Sequence, residues 1–128
     1  MKEKEKKILE FQYLQQQLKN LVSYQEFLEK YYQEILNSIE SIKTCKETDE
    51  FLVDLGNNVF SKVKLLEKTF LVNIGSGIFL EKNPDETIKI LEKRLKNVEE
   101  EIKEVGENIK ILYQYLENLG NEIKKENK

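Results

Sequence analysis

The middle of the chain repeats itself, and this repeat constrains the fold more than any other feature. FLVDLGNNVFSKVK (residues 51–64) and FLVNIGSGIFLEKN (residues 70–83) align at an offset of nineteen residues. In each copy, two runs rich in β-branched and aromatic residues flank a Gly-centred turn, at 56–58 or 75–77. Gly and Asn tolerate the positive φ angles that tight hairpin turns require. The repeat therefore predicts two tandem β-hairpins.

Before the hairpins, apolar residues alternate at spacings of four and three from about residue 6 to about residue 43. A 3.5-residue period held over several heptads predicts a helix in a left-handed coiled coil. Gln25 is the one polar member of this seam and can fix the register of pairing. Polar residues at 44–50 end the helix. The seam positions are Phe11, Leu14, Leu18, Leu21, Gln25, Leu28, Tyr32, Ile35, Ile39 and Ile42.

A second helix follows the hairpins. Its start is marked by Asn83-Pro84-Asp85-Glu86, in which Asn83 or Asp85 can serve as the N-cap. Gly106 and Gly120 lie off its seam and mark soft points or close approach by a neighbour. The two seams match in length, so an antiparallel pair is expected, with facing residue numbers that add to about 130. The seam positions are Ile88, Leu91, Leu95, Val98, Ile102, Val105, Ile109, Leu112, Leu116, Leu119 and Ile123.

The fold class predicted from these patterns is α+β, in one domain over residues 1–128. An antiparallel two-helix coiled coil (1–47 and 84–128) carries two tandem β-hairpins (48–83) between its helices. Isolated two-stranded hairpins are marginal and their open edges recruit other strands. We therefore expect the hairpins of several subunits to assemble into an oligomeric β-barrel base. The residues expected at this subunit assembly are Val53, Leu55, Val59, Phe60, Val72, Ile74, Ile78 and Phe79.

The two termini are expected to meet at the tip of the coiled coil, where apolar residues exceed what a fraying helix end can pack. Adaptable apolar surface of this kind suits weak, multiple contacts with a partner. The alternative is that these residues only complete the seam, above all Leu116, Leu119 and Ile123. The candidate binding residues at this end, called the tip residues below, are Ile8, Leu9, Phe11, Tyr13, Leu14, Leu116, Leu119 and Ile123.

Composition and charge exclude several function classes. The formal charge is -3 with no basic stripe, which argues against nucleic acid as a partner. No apolar run approaches the roughly 18 residues of a membrane span, and MKEKEKK has no apolar segment behind it, so a cytoplasmic protein without a membrane partner is expected. The absence of histidine excludes imidazole metal sites and Ser-His or Cys-His catalysis. No catalytic, metal or cofactor-binding residue is predicted, and an enzyme is disfavoured.

Four other features have plain structural interpretations. Gly75-Ser76-Gly77 lacks the lysine and the spacing of a phosphate loop, which favours a hairpin turn. The run Glu99-Glu100-Glu101 is expected to be a solvated helix face. Cys45 cannot form an internal disulfide and is interpreted as a chance thiol in a polar stretch. The off-seam aromatic residues of the first helix are expected to widen its packed stripe; they are Tyr24, Phe27 and Tyr31.

The order helix, double hairpin, helix resembles the α-class subunits of archaeal-type prefoldin. The likeness rests on LGNNVF (residues 55–60) and above all on FLVNIGSGIFLEK (residues 70–82), followed by the acidic start of the second helix. The family usually has Pro before the first Leu-Gly, where this chain has Asp54. It commonly has Gly where this chain has Asn58, which the tolerance of Asn for the left-handed region accommodates.

The resemblance implies a hexameric co-chaperone in which two α and four β-type subunits form a double β-barrel base with six coiled coils. It implies an ATP-independent holdase that captures unfolded polypeptides at the coiled-coil tips and transfers them to a group II chaperonin, without a cofactor. The alternative is a self-assembling α-like prefoldin that acts as a coiled-coil scaffold or filament.

Overall fold

The computed structural model describes residues 2–126 and contains two long helices with four strands between them. In chain order the elements are α1 (Glu3–Thr44), β1 (Glu50–Gly56), β2 (Val59–Lys64), β3 (Phe70–Gly75), β4 (Ile78–Lys82) and α2 (Pro84–Glu126). The strands form two separate antiparallel pairs, β1 with β2 and β3 with β4. This arrangement confirms the predicted α+β fold. Closing the hairpins into a β-barrel would require strands from several subunits. Within residues 2–126, neither helix is both long and apolar enough to cross a membrane.

The chain divides into two compact units. One, the helical unit, comprises residues 2–33 and 97–126; the other, the hairpin unit, comprises residues 34–96. The first contains only parts of α1 and α2, and the second contains all four strands.

The helical unit is held by the predicted seam. An ideal Cβ built on Gly106 would lie 3.2 Å from Nε2 of Gln25, and one on Gly120 would lie 3.3 Å from the Phe11 ring. Both pairs fit an antiparallel register in which facing numbers add to about 130. The glycines therefore mark close approach by the partner helix. All buried apolar residues of this unit lie at seam positions: Leu28, Val98, Val105, Leu116 and Leu119.

Both hairpins share an irregularity just before the turn. The strand register shifts between Asp54 and Gly56 in the first hairpin and between Asn73 and Gly75 in the second. Oδ1 of Asp54 accepts a hydrogen bond from the Gly56 N–H at 2.7 Å, and Oδ1 of Asn73 accepts one from the Gly75 N–H at 2.9 Å. Asp54, where the family pattern has Pro, thus accepts a hydrogen bond from the turn glycine in the first hairpin, as Asn73 does in the second.

The turn residues adopt the backbone conformations that their side chains allow. Gly56 and Gly75 have φ of 105° and 124°, values that side-chain-bearing residues rarely adopt. Asn57 and Asn58 have φ of 52° and 63°, within the left-handed region that Asn tolerates. The expected accommodation of Asn58 is confirmed.

The start of α2 follows the predicted capping chemistry. Oδ1 of Asn83 accepts a hydrogen bond from the Glu86 N–H at 2.8 Å, so Asn83 rather than Asp85 is the N-cap. Pro84 is the first helical residue, where its missing N–H costs nothing. The buried Thr87 donates its hydroxyl hydrogen to the carbonyl oxygen of Asn83 at 2.8 Å, so the buried hydroxyl has a hydrogen-bond partner.

Cys45 is buried, so its description as a chance thiol in a polar stretch is wrong about its surroundings. Its side chain is 7% exposed, and its N–H continues the helical pattern of α1 by donating to the Ser41 carbonyl at 2.9 Å. This additional helical hydrogen bond places the thiol on the buried side. Together with residues of α1 and both hairpins it lines an apolar cavity of about 230 Å³, formed by Ser41, Ile42, Cys45, Phe51, Leu65 and Phe70.

The two helical glycines give a stability prediction. Gly106→Ala should raise the free energy of unfolding by up to about 1 kcal/mol, because Ala favours helix and the mobile amide end of Gln25 can move away. Gly120→Ala should gain less, because the added methyl meets the rigid Phe11 ring. Denaturant unfolding followed by circular dichroism, at one protein concentration, compares the two. A larger gain for Gly120→Ala would contradict this assignment of the contacts.

Candidate functional site

The tip residues fall into three groups by exposure. Leu9 and Tyr13 are 53% and 64% exposed. Leu116 and Leu119 are buried in the seam, as the alternative interpretation expects. The half-buried group, which offers part of each side chain to solvent, is Ile8, Phe11, Leu14 and Ile123.

Two surface cavities flank Phe11. One has a volume of about 230 Å³ and the other of about 360 Å³, and both are lined by Phe11 and Gln15. Gly120 contributes no side chain to the larger cavity, so its backbone forms part of the wall. Tyr113, which is 62% exposed, lines the smaller one. Sequence reasoning missed Gln15 and Tyr113; the sequence signal nearby was the off-seam Gly120, which has no side chain to cover the larger cavity.

Polar contacts join the two helices at this end of the helical unit. Lys7 Nζ lies 2.7 Å from Glu126 Oε1 and 3.7 Å from Glu122 Oε2. The hydrogen bond to Glu126 is the main reason that the pKa of Lys7 is raised. The Tyr115 hydroxyl donates to Glu10 Oε1 at 2.9 Å. These contacts keep the helix ends together while leaving Leu9 and Tyr13 exposed.

A second exposed surface lies further along α1. Tyr24, Phe27 and Tyr31, called the aromatic face below, are 40%, 59% and 37% exposed. Tyr24 stacks on Phe27 at a centroid distance of 6.4 Å, and Phe27 meets Tyr31 edge-to-face at 6.4 Å. The expectation that these residues widen the packed stripe is wrong, because all three stay exposed. At Tyr24 the neighbouring residue of α2 is Glu101, which accepts a hydrogen bond from the Tyr24 hydroxyl.

The hairpins expose most of the residues predicted for subunit assembly. Val72 differs, since it is 6% exposed and already buried within its own chain. Exposed apolar side chains lie on both faces of each hairpin. In the first hairpin Leu55 lies on one face and Phe60, which pairs with Asp54, lies on the other. In the second hairpin Ile74 lies on one face and Phe79, which pairs with Asn73, lies on the other. The exposed members of the predicted set are Val53, Leu55, Val59, Phe60, Ile74, Ile78 and Phe79.

These features define a class of protein: a subunit with paired helices, exposed apolar residues at the helix ends and two β-hairpins with open edges and apolar faces. A family model described as "Prefoldin subunit" matches residues 14–128. The chain belongs to the prefoldin family, whose members are chaperone subunits that form oligomeric assemblies.

Several archaeal proteins are similar to the chain. It is 37% identical to prefoldin subunit alpha of Pyrococcus horikoshii, with 80% of this chain and 72% of that protein covered. It is 34% identical to prefoldin subunit alpha of Archaeoglobus fulgidus, with 77% and 75% covered. It is 31% identical to prefoldin subunit alpha 1 of Methanocaldococcus jannaschii, with 73% and 66% covered. These similarities confirm the resemblance to α-class subunits.

A solved structure shares the fold. A cryo-EM structure of filamentous PFD from Methanocaldococcus jannaschii matches with a TM-score of 0.55 at 22% identity, over 95% of this chain and 99% of that one. At this identity the likeness supports the fold of two helices and two inserted hairpins.

The Tyr24 contact predicts a pH dependence. Its hydrogen bond to Glu101 is the main reason that the Tyr24 pKa is raised above 10.0, with smaller contributions from burial and from the Glu101 charge. The folded chain therefore holds the phenolic proton more tightly than the unfolded chain. The stabilisation is fully present below the unfolded pKa and is lost as the pH rises through the folded pKa.

Phenolate absorbance measures this effect, with the Tyr24 curve taken as the difference between the native chain and Tyr24→Phe. Glu101→Gln should lower the Tyr24 pKa toward 10.0, while Glu99→Gln, elsewhere on α2, should leave it unchanged. An equal shift in both variants would show that the field of the helix, rather than this contact, sets the pKa.

Proposed function

We propose that the chain is an ATP-independent holdase subunit that captures unfolded polypeptides at its tip residues and transfers them to a group II chaperonin. The observation that carries the proposal is the exposure of Leu9 and Tyr13 beside the two cavities at Phe11, in a member of the prefoldin family. Apolar side chains that stay in solvent cost solubility, so their presence at paired helix ends favours an interaction site.

The geometry suits transient rather than tight binding. The exposed tip side chains are few. The two cavities at Phe11, of about 230 and 360 Å³, lie at the surface and do not form one deep pocket. Each contact with a client would be weak, but several arms in one particle raise the effective concentration of binding sites. Such binding needs no hydrolysis to release the client.

We further propose that the hairpins assemble with β-type prefoldin subunits into a hexamer of two α and four β subunits. The support is the exposure of Leu55, Ile74 and Ile78 on strands whose edges are unpaired within residues 2–126. Pairing these edges with strands of other subunits would satisfy backbone groups and remove apolar side chains from water at once.

A second candidate is self-assembly into a scaffold or filament. It is favoured by the same unpaired strand edges, which can accept another copy of this chain, and it is compatible with a fold neighbour described as filamentous. Mass measurements on the chain alone and with a β-type subunit separate the two. A discrete hexamer that forms only with the partner supports the first candidate, whereas polymers of the chain alone support the second.

The holdase proposal is tested by removing the tip. A variant lacking residues 1–13 should still assemble, because the hairpins are intact, but should lose most of the suppression of client aggregation measured by light scattering. Leu9→Ser combined with Tyr13→Ser should lower suppression in the same direction, because it removes the two most exposed apolar tip side chains.

The matched control is Val22→Ser combined with Ile111→Ser, which removes two exposed apolar side chains of the helical unit outside the tip residues. This control should protect clients as the native chain does. Full protection by the truncated variant, or equal loss in the control, would refute binding at the tip.

The assembly proposal is tested at one exposed strand residue. Ile78→Lys should abolish or strongly weaken assembly, because the interface would have to bury an unpaired ammonium group. The measurement is the mass on a sizing column with light scattering. Ile111→Lys makes the same change at a 69% exposed residue of α2 and should assemble normally. Normal assembly of the Ile78→Lys variant would show that β4 is not part of the interface.

A further inference from the structure

The aromatic face was not needed for the proposed capture at the tip, and it differs from the tip in its electrostatics. Its three rings are separated by spacings of three and four residues, so they project from one side of α1. The same side continues toward the tip with uncharged residues only; in order they are Tyr13, Gln17, Asn20, Tyr24, Phe27 and Tyr31. These six positions carry no lysine or arginine, and a basic residue, Lys30, lies at their edge, three residues after Phe27.

The neighbouring side of α2 is acidic. Glu101 accepts the hydrogen bond from the Tyr24 hydroxyl, which places it beside the aromatic face. Glu100 and Glu104 lie one and three residues away from it, within about 100° of the helix circumference. All three are exposed, and none forms an ion pair with another residue of the part of the chain that is described. We call these three glutamates the acidic row.

Within the acidic row, Glu101 and Glu104 have no lysine or arginine three or four residues away, whereas Glu100 lies four residues after Lys96 and three before Lys103. Lys96, Lys103 and Lys110 recur at intervals of seven and therefore share one stripe of the helix. Lys103 lies about 160° around the helix from Glu101, if each residue adds 100°. Glu101 and Glu104 are thus left without a basic neighbour on their own side of α2 within one turn.

We propose that the aromatic face and the acidic row together form a second binding surface, for extended polypeptide segments in which apolar residues alternate with arginine or lysine. The proposal rests on the holdase function argued above and assigns a charge preference to part of the client chain. Aromatic rings bind cations through their faces as well as apolar side chains through their area. Unneutralised carboxylates at the rim add attraction for the same cations.

The dimensions fit such a segment. Tyr24 and Tyr31 are seven residues apart, or roughly 10 Å along the helix at 1.5 Å per residue. An extended chain covers that distance in about three residues at roughly 3.3 Å each. Alternate side chains of an extended chain point to opposite sides, so a segment lying edge-on could pack its apolar side chains on Phe27 while its guanidinium groups, on the side toward α2, reach Tyr24, Tyr31 and the acidic row.

The test uses the full chain in its assembled form and two short dye-labelled peptides, one alternating Leu with Arg and one alternating Leu with Glu. Fluorescence anisotropy gives both dissociation constants at low and at high salt. The Arg peptide should bind at least about tenfold more tightly at low salt, and the difference should shrink at high salt because exposed charges are screened. Equal binding of the two peptides would overturn the proposal.

Two variants locate the binding surface. Phe27→Ser combined with Tyr31→Ser should weaken the Arg peptide about fivefold or more, since each exposed cation–π contact is worth about two- to fivefold. Val22→Ser, which removes a 39% exposed side chain from the opposite side of α1, should change nothing. Equal loss in Val22→Ser, or no loss in the double variant, would overturn the assignment.

Two variants that each remove one negative charge keep the test informative even if the double variant folds poorly. Glu104→Gln should weaken the Arg peptide by about twofold and reduce its salt dependence, whereas Glu99→Gln, on the other side of α2, should do neither. Identical effects of the two variants would mean that only the net charge of the chain matters, which contradicts a site beside Tyr24.

The tip-deleted variant separates this inference from the proposed function. Lacking residues 1–13, it should lose suppression of client aggregation but keep its preference for the Arg peptide. Loss of both activities would place peptide binding at the tip and overturn the second surface alone. If the native chain suppresses no aggregation yet binds the Arg peptide at the aromatic face, the holdase proposal fails and this surface stands.

Discussion

The apolar seam between α1 and α2 is the interaction on which the structure depends. Helices of this length carry many charges and few buried residues, so their stability comes from the stripe that faces the partner. In the helical unit every buried apolar residue belongs to that stripe, and Gly106 and Gly120 let Gln25 and Phe11 approach closely. The rest of the helix surface is therefore free to serve binding rather than stability.

The hairpins differ from the helices because they do not bury most of their own apolar side chains. Their local geometry is fully specified: Asp54 and Asn73 hold the bulges, Gly56 and Gly75 take up wide positive φ angles, and Asn83 caps the following helix. Their apolar side chains nevertheless remain in solvent. A sheet of two strands cannot bury its own faces, so a chain that folds correctly at this level is still incomplete until other strands cover it. Assembly is the expected consequence of this geometry.

The fold was predictable from the sequence because each element carries a local signal. Heptads gave both helices and their antiparallel register, the Gly-Asn and Gly-Ser turns gave the hairpins, and Asn83-Pro84 gave the start of α2. Burial outside the seam was less predictable. Cys45 lies in a polar stretch, yet its N–H continues the helical hydrogen bonding one residue beyond Thr44 and its side chain is buried. Val72 is buried by its own chain whereas its counterpart Val53 is 41% exposed, a difference that the repeat itself hides.

The candidate sites show the same limit. The tip could be located from the sequence because paired helix ends lack neighbours, yet which tip residues stay exposed depends on side-chain packing. Leu116 and Leu119 enter the seam, whereas Leu9 and Tyr13 do not. For Tyr24, Phe27 and Tyr31 the spacing alone allowed a packed or an exposed stripe. At Tyr24 the partner on the other helix is Glu101, and a pattern read along one helix does not reveal its cross-helix partners.

The hydrogen bond between Tyr24 and Glu101 connects the electrostatics of the helical unit to its binding capacity. It fixes a ring that would otherwise sample several rotamers, so less conformational entropy is lost when a ligand packs on it. It also keeps a carboxylate next to exposed aromatic surface, where an apolar partner would have closed the stripe. The same contact that ties the two helices together therefore keeps their shared surface open and negatively charged. On the proposal made above, a surface of this kind would discriminate among unfolded chains by charge, which apolar surface alone would not.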